Sequence, residues 1–144
     1  MSAEMLVNVS GALSRFQYDR RVRDVRYLYE LFDPGDFFSA LGKIFQARSS
    51  DSKEAERFRE VRIFTRMKDL CDRCAVELGY QSNMPRINQL DSLSSAIDGI
   101  GISFFLIALS VVVYDRSQGV SGDATSHLAA HNLVRDIVAA HCDL

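Results

Sequence analysis

The stretch DGIGISFFLIALSVVVYD, Asp98 to Asp115, decides the fold. Between the two aspartates lie sixteen residues without a charge and almost without a polar side chain. A helix that crosses a bilayer needs about twenty apolar residues, within a usual range of roughly 17–25. This run is shorter and bounded by charge. It is followed by the polar RSQGVSGD and then by another amphipathic segment. It therefore reads as a helix buried on all sides by its own chain. VVVY alone would suit a strand, but no other segment alternates with period two, so a strand would have no partner.

Outward from this run, the chain is a series of helical patterns. Glu4 to Phe16 puts Leu6, Val9, Leu13 and Phe16 on one face, and Arg20 to Phe32 repeats this with Val22, Val25, Tyr29 and Phe32. DPGD at 33–36 is a turn, with Asp36 as cap of a helix carrying Phe37, Phe38, Leu41, Ile44 and Phe45. Asp51 and Glu54 form a capping-box pattern. It opens a long helix to Leu78 with Val61, Phe64, Met67, Cys71 and Cys74 inward, and Gly79 is its natural stop. After the loop YQSNMPR, a short helix over roughly Asn88 to Asp98 turns Leu90, Leu93 and Ile97 inward, and the buried helix follows Gly99. SQGVSGD is a second loop, and Asp123 caps a final helix bearing Leu128, Val134, Ile137 and Val138, with His127 and His131 near its surface. There are no repeats and no shifts in composition. The expectation is one all-α domain over 1–144, a single-domain helical bundle of six to eight helices around the buried one.

Composition narrows the function. At 47% hydrophobic and 25% charged, the chain is neither disordered nor fibrous. The net charge is −2, and twelve of the fourteen Arg lie between Arg15 and Arg86, interleaved with acids. That describes solvated helix faces with local ion pairs, so no nucleic-acid partner is expected. MSAEMLVNVSGALSRF has no basic start before its apolar residues, and the three cysteines are an odd number. Both fit a cytoplasmic protein without an integral membrane span.

Catalytic motifs are absent: there is no glycine-rich phosphate loop, no GxSxG and no HExxH, so an enzyme is not expected. CDRC, Cys71 to Cys74, is a CxxC late in a helical pattern, where a redox pair would open a helix. With His127 and His131 at i, i+4 it could complete a four-ligand zinc set. The long gap favours small core-facing cysteines, so no metal and no cofactor are expected. What remains is a binding module, which takes a partner helix in an apolar groove.

Two segments resemble the Bcl-2 family of apoptosis regulators. In IFTRMKDLCDRCAVEL, residues 63–78, Met67, Cys71 and Asp72 stand where the family's third homology motif has a large apolar residue, a small residue and Asp. In LSSAIDGIGISFFLIALSVVVYDRSQG, residues 93–119, Asp98, Gly99 and Gly101 fall near the acid-glycine and second glycine where the first motif leads into a central helix. The resemblance covers roughly 58–142. It lacks the family's Trp, and Ile102 or Phe104 stands at the place of its groove Arg. Small relatives without a membrane anchor are typical of viral inhibitors of this family, and no hydrophobic tail follows His141.

The resemblance implies an inhibitor of apoptosis in the cytoplasm, the host cell's if viral. It would sequester pro-apoptotic BH3-type amphipathic helices in a hydrophobic groove. One wall would hold Phe64, Met67, Leu70, Cys71, Cys74 and Leu78; the other, Leu90, Leu93 and Ile97. Gly101, Phe104 and Phe105 would form the floor, with Arg73 or Arg86 as charge partner. The alternative is a non-enzymatic helical scaffold or regulatory subunit that self-associates, with or without a Cys/His metal site. A homodimer is compatible with both.

Overall fold

A computed structural model describes residues 19–50, 58–80, 87–118 and 124–142. These form α1 (Arg20–Glu30), α2 (Pro34–Ser50), α3 (Phe58–Glu77), α4 (Ile87–Ile100), α5 (Ile102–Ser117) and α6 (Ala124–Cys142), with no strand among the described residues. The expected all-α bundle is the observed one. The helix expected at Glu4–Phe16, the capping box at Asp51 and Glu54, and the cap at Asp123 lie outside the described residues.

The uncharged run forms α5, and α5 is buried around its whole circumference. Phe105 to Leu109 and Val111 to Val113 are all enclosed. Each large apolar side chain so enclosed is worth roughly 1.5–3 kcal/mol of transfer. The cover comes from α6, which returns along it as a hairpin, from α1, and at one end from α4. No single described helix is long and apolar enough to cross a membrane, although the bent pair α4–α5 passes by length and composition.

The predicted faces of α1 and α2 hold: Val22, Val25, Tyr29 and Phe32, then Phe37, Phe38, Leu41, Ile44 and Phe45, are all buried. Their rings interlock edge to face, Tyr29 on Phe37 at 5.0 Å and Phe32 on Phe37 at 5.6 Å. Asp19 caps α1, accepting from the Arg21 amide at 2.8 Å. Asp36 does not cap α2. The helix starts one turn earlier at Pro34, because proline's fixed φ and missing N–H suit a first helical position. Asp36 lies within the first turn, facing the dipole.

α2 and α3 form the most extensive helix pair, and glycines let them approach. α3 ends as Gly79 predicts. Gly79 has φ +78°, its N–H donates to the Val76 carbonyl at 3.0 Å, and the Tyr80 N–H donates to Ala75 at 2.8 Å. This is a Schellman cap. The cap backbone lies against Gly35, where a Cβ would stand 2.7 Å from Tyr80 Cα and N and 2.9 Å from the Ala75 carbonyl. One helical heptad on, a Cβ on Gly42 would stand 2.9 Å from Asp72 Oδ1.

The α4–α5 break falls at Gly101, not at Gly99. Gly99 continues α4, whereas Gly101 has φ +93°, open only to glycine at little cost, and the two helix axes differ by 113°. α6 also differs from expectation. Leu128 is exposed and His127 is fully buried. The register set by Val134, Ile137 and Val138 turns position 127 inward and position 128 about 100° away. The imidazole is accommodated because its Nδ1 shares a hydrogen bond with the Tyr29 hydroxyl at 3.2 Å.

Gly35→Ala is expected to destabilise the fold by about 1–3 kcal/mol, because backbone atoms cannot yield to the new methyl. Gly99→Ala, with nothing within 4 Å of its Cβ position, is expected to be neutral or stabilising by up to about 1 kcal/mol. Denaturant midpoints of the two variants test the pair.

Candidate functional site

The groove residues fall into three settings. Met67, Leu70, Cys71 and Cys74 of α3, Leu93 and Ile97 of α4 and Phe105 of α5 belong to the closed core. Phe64, Leu78 and Leu90 are half-buried at its margin, with Phe64 stacked on Phe45 at 6.0 Å. Gly101 and Phe104 reach the surface, Phe104 being 42% exposed.

The two intended walls pack mainly against different helices. α3 is enclosed by α2 and α6, whereas α4 rests on α5 and α2. The glycine-permitted approach of α2 directs the apolar face of α3 away from α4. α4, a short amphipathic helix, lies between α2 and the central helix α5.

Of the two expected charge partners, Arg73 is exposed on the outer face of α3, and Arg86 lies outside the described residues. The arginine beside the first turn of α5 is Arg21 of α1. Its guanidinium carbon lies 4.3 Å from the Phe104 ring centroid. It also grips Asp19 through two hydrogen bonds, of 2.9 and 2.7 Å. Those bonds bring the Asp19 carboxyl down to about 2. No sequence pattern could have marked Arg21, because only the parallel packing of α1 on α5 brings it to Phe104. A second link, Arg26 to Asp115, joins the same two helices further along.

Cys71, Cys74, His127 and His131 do not converge. Among the described residues no group of three or more potential ligands could hold a metal ion. The Cys74 thiol donates weakly toward the Ala130 carbonyl at 3.7 Å, and His127 Nδ1 is held by Tyr29. Burial raises the Cys71 thiol and pushes Cys74 up to about 12, so both are protonated and poorly suited as ligands. The metal site of the alternative reading has no geometric basis in these residues.

One serine–histidine pair stands near the start of α5. Ser103 Oγ and His141 Nε2 share a hydrogen bond of 2.8 Å. His141 Nδ1 is buried without a partner. An orphaned N–H is rarer in folded proteins than an under-satisfied acceptor. The fitting tautomer therefore donates from Nε2 to the serine and leaves Nδ1 bare. The hydrogen bond ties α5 to α6.

Comparison with known proteins returned no match among protein families, curated proteins or solved structures.

At mildly alkaline pH a thiol reagent is expected to modify the native protein at Cys142 alone, and to reach Cys71 and Cys74 only after denaturation. Peptide mapping of the labelled protein checks this. Burial also lowers the imidazoles of His131 and His141 from their ordinary 6.5, with Arg135 contributing at His131. The unfolded chain thus binds protons that the folded chain resists. The stability that these groups support is whole above 6.5 and falls as pH drops through it. Asp19 acts in a separate window: its contribution is present above 3.8 and is lost only as pH falls toward about 2. Denaturant midpoints are expected to fall between about pH 7 and 5. His131→Gln with His141→Gln should flatten that slope.

Proposed function

We propose that this chain is a non-enzymatic binding module of Bcl-2-like character. It inhibits apoptosis in the cytoplasm by stoichiometric sequestration of pro-apoptotic, BH3-type amphipathic helices. The observation that carries this reading is the arrangement at Gly101. A short amphipathic helix breaks sharply into an apolar central helix, which pairs with the last helix as a hairpin. This is the succession that the resemblance implied for residues 93–142.

The ligand's apolar side chains would lie across the first turns of α5, beside Phe104. Arg21 would receive the ligand's Asp in place of the family's groove arginine. Four apolar side chains would supply about 6–12 kcal/mol of transfer, from which association and ordering costs of roughly 4–15 kcal/mol are drawn, so micromolar binding also requires the charged contact. Turnover is not needed, because capture alone removes the ligand from its target.

Titration of the purified protein with a panel of pro-apoptotic helix peptides tests the reading. Saturable one-to-one binding at micromolar concentration or tighter is expected for at least one peptide. Arg21→Ala should weaken it about tenfold, the effect of losing a hydrogen bond to a charged group. Silence across the whole panel would remove the proposal.

A further inference from the structure

α4 is held to the bundle differently from its neighbours. Among its described side chains only Leu93 and Ile97 are fully buried, while Leu90, Ala96 and Ile100 are half-covered. α3 and α6 bury longer rows, and each lies along extensive helix partners; α4 touches α5, α2 and α1 only sparsely. Its outward face, with Asp91, Ser92, Ser95, Asp98 and Gly99, is exposed. An ion pair ties it to α2, Arg48 to Asp98 at 2.8 Å, and that pair is itself exposed to solvent.

The backbone is divided at the same place. The ladder of α4 closes with the Gly101 N–H on the Ile97 carbonyl at 2.9 Å. α5 opens with the Phe105 N–H on the Gly101 carbonyl at 2.8 Å. Gly101, at φ +93°, is the single residue between the two ladders, and nothing lies within 4 Å of its Cβ position. Rotation there leaves both helices intact. The inward stripe of α4 is Leu90, Leu93, Ile97 and Ile100, at i, i+3, i+7 and i+10. Helices that lie in apolar grooves carry this kind of spacing.

We propose that α4 is a latch. It closes the slot between α2 and α5 and opens as a unit about Gly101 while the other helices stay folded. Sparse burial and exposed hydrogen bonding are the marks of a segment that opens below the global unfolding limit. The proposal rests on the preceding functional reading in one respect: the slot that α4 vacates is the seat of the partner helix, so the latch is autoinhibitory.

Native-state hydrogen exchange on the full chain, without ligand, tests the latch by itself. Amides of residues 93–100 are expected to exchange at least tenfold faster than those in the centres of α3, α5 and α6. Leu93→Ala should speed exchange in α4 alone. Ile97→Val, a milder change, serves if Leu93→Ala does not fold. Exchange of α4 in step with α3, α5 and α6, in the native chain and in the variant alike, would overturn the latch. A separate arm adds the peptide panel to the native chain and to Ile97→Val. Tighter binding to the variant supports displacement of α4. Independent opening of α4 with no peptide bound by either protein would remove the partner reading and leave the latch standing.

Discussion

A helix with no polar face must be covered from every direction, and the organisation of this protein follows from that requirement. α5 buries Phe105 to Leu109 and Val111 to Val113 at once, so no single neighbour can cover it. α6 takes one side as the returning arm of a hairpin, α1 takes another in parallel, and α4 closes the N-terminal end. Charge appears only where the run stops. Asp115 meets Arg26, and Asp98 meets Arg48. These pairs are partly exposed, so each adds roughly 0–1 kcal/mol, and they locate the end of α4 and the end of α5 more than they hold them.

The other half of the fold is an α2–α3 pair whose closeness depends on missing side chains. Gly35 admits the capped end of α3, and Gly42 admits the turn around Asp72. α6 then joins the halves, lying along α5 on one side and α3 on the other. Its two core histidine contacts serve that joint. His127 reaches Tyr29 of α1, and His141 reaches Ser103 of α5. A buried hydrogen bond fixes register more strictly than apolar contact, since a shift of one residue would leave both partners unsatisfied.

The inward faces were legible because helical periodicity records burial directly: Val22, Val25 and Tyr29, or Met67, Cys71 and Cys74, need only the 3.6-residue repeat. Boundaries were legible where one residue type has one use, as at Gly79. They were missed where two glycines competed. Gly99 and Gly101 look alike in sequence, and only the backbone shows which one bears the positive φ. His127 takes an inward position where its polarity suggests the surface, because the Tyr29 hydroxyl waits there for its ring nitrogen. The candidate site was less legible still. Periodicity separates inward from outward, but it does not say whether an inward face meets its own chain or a guest. Met67, Leu70, Leu93 and Ile97 fit both, and in the structure they meet their own chain. Arg21, more than eighty positions before Phe104 in sequence, carries no local signal at all.

That ambiguity has a physical counterpart. A bundle whose candidate site is already filled can bind a helix only by exchange, giving up the contacts of Leu93 and Ile97 for those of the newcomer. The apparent affinity is then the intrinsic one multiplied by the fraction of open molecules, so each 1.4 kcal/mol of opening free energy weakens binding about tenfold. The short buried row of α4, with its half-covered flanking residues and an exposed ion pair, sets the opening cost. A longer row, like that of α3, would set one that no peptide could meet. On the proposed function, the brevity of the inward row of α4 and the glycine at its end would serve the same purpose: they keep the central helix covered, yet within reach of a partner helix that covers it better.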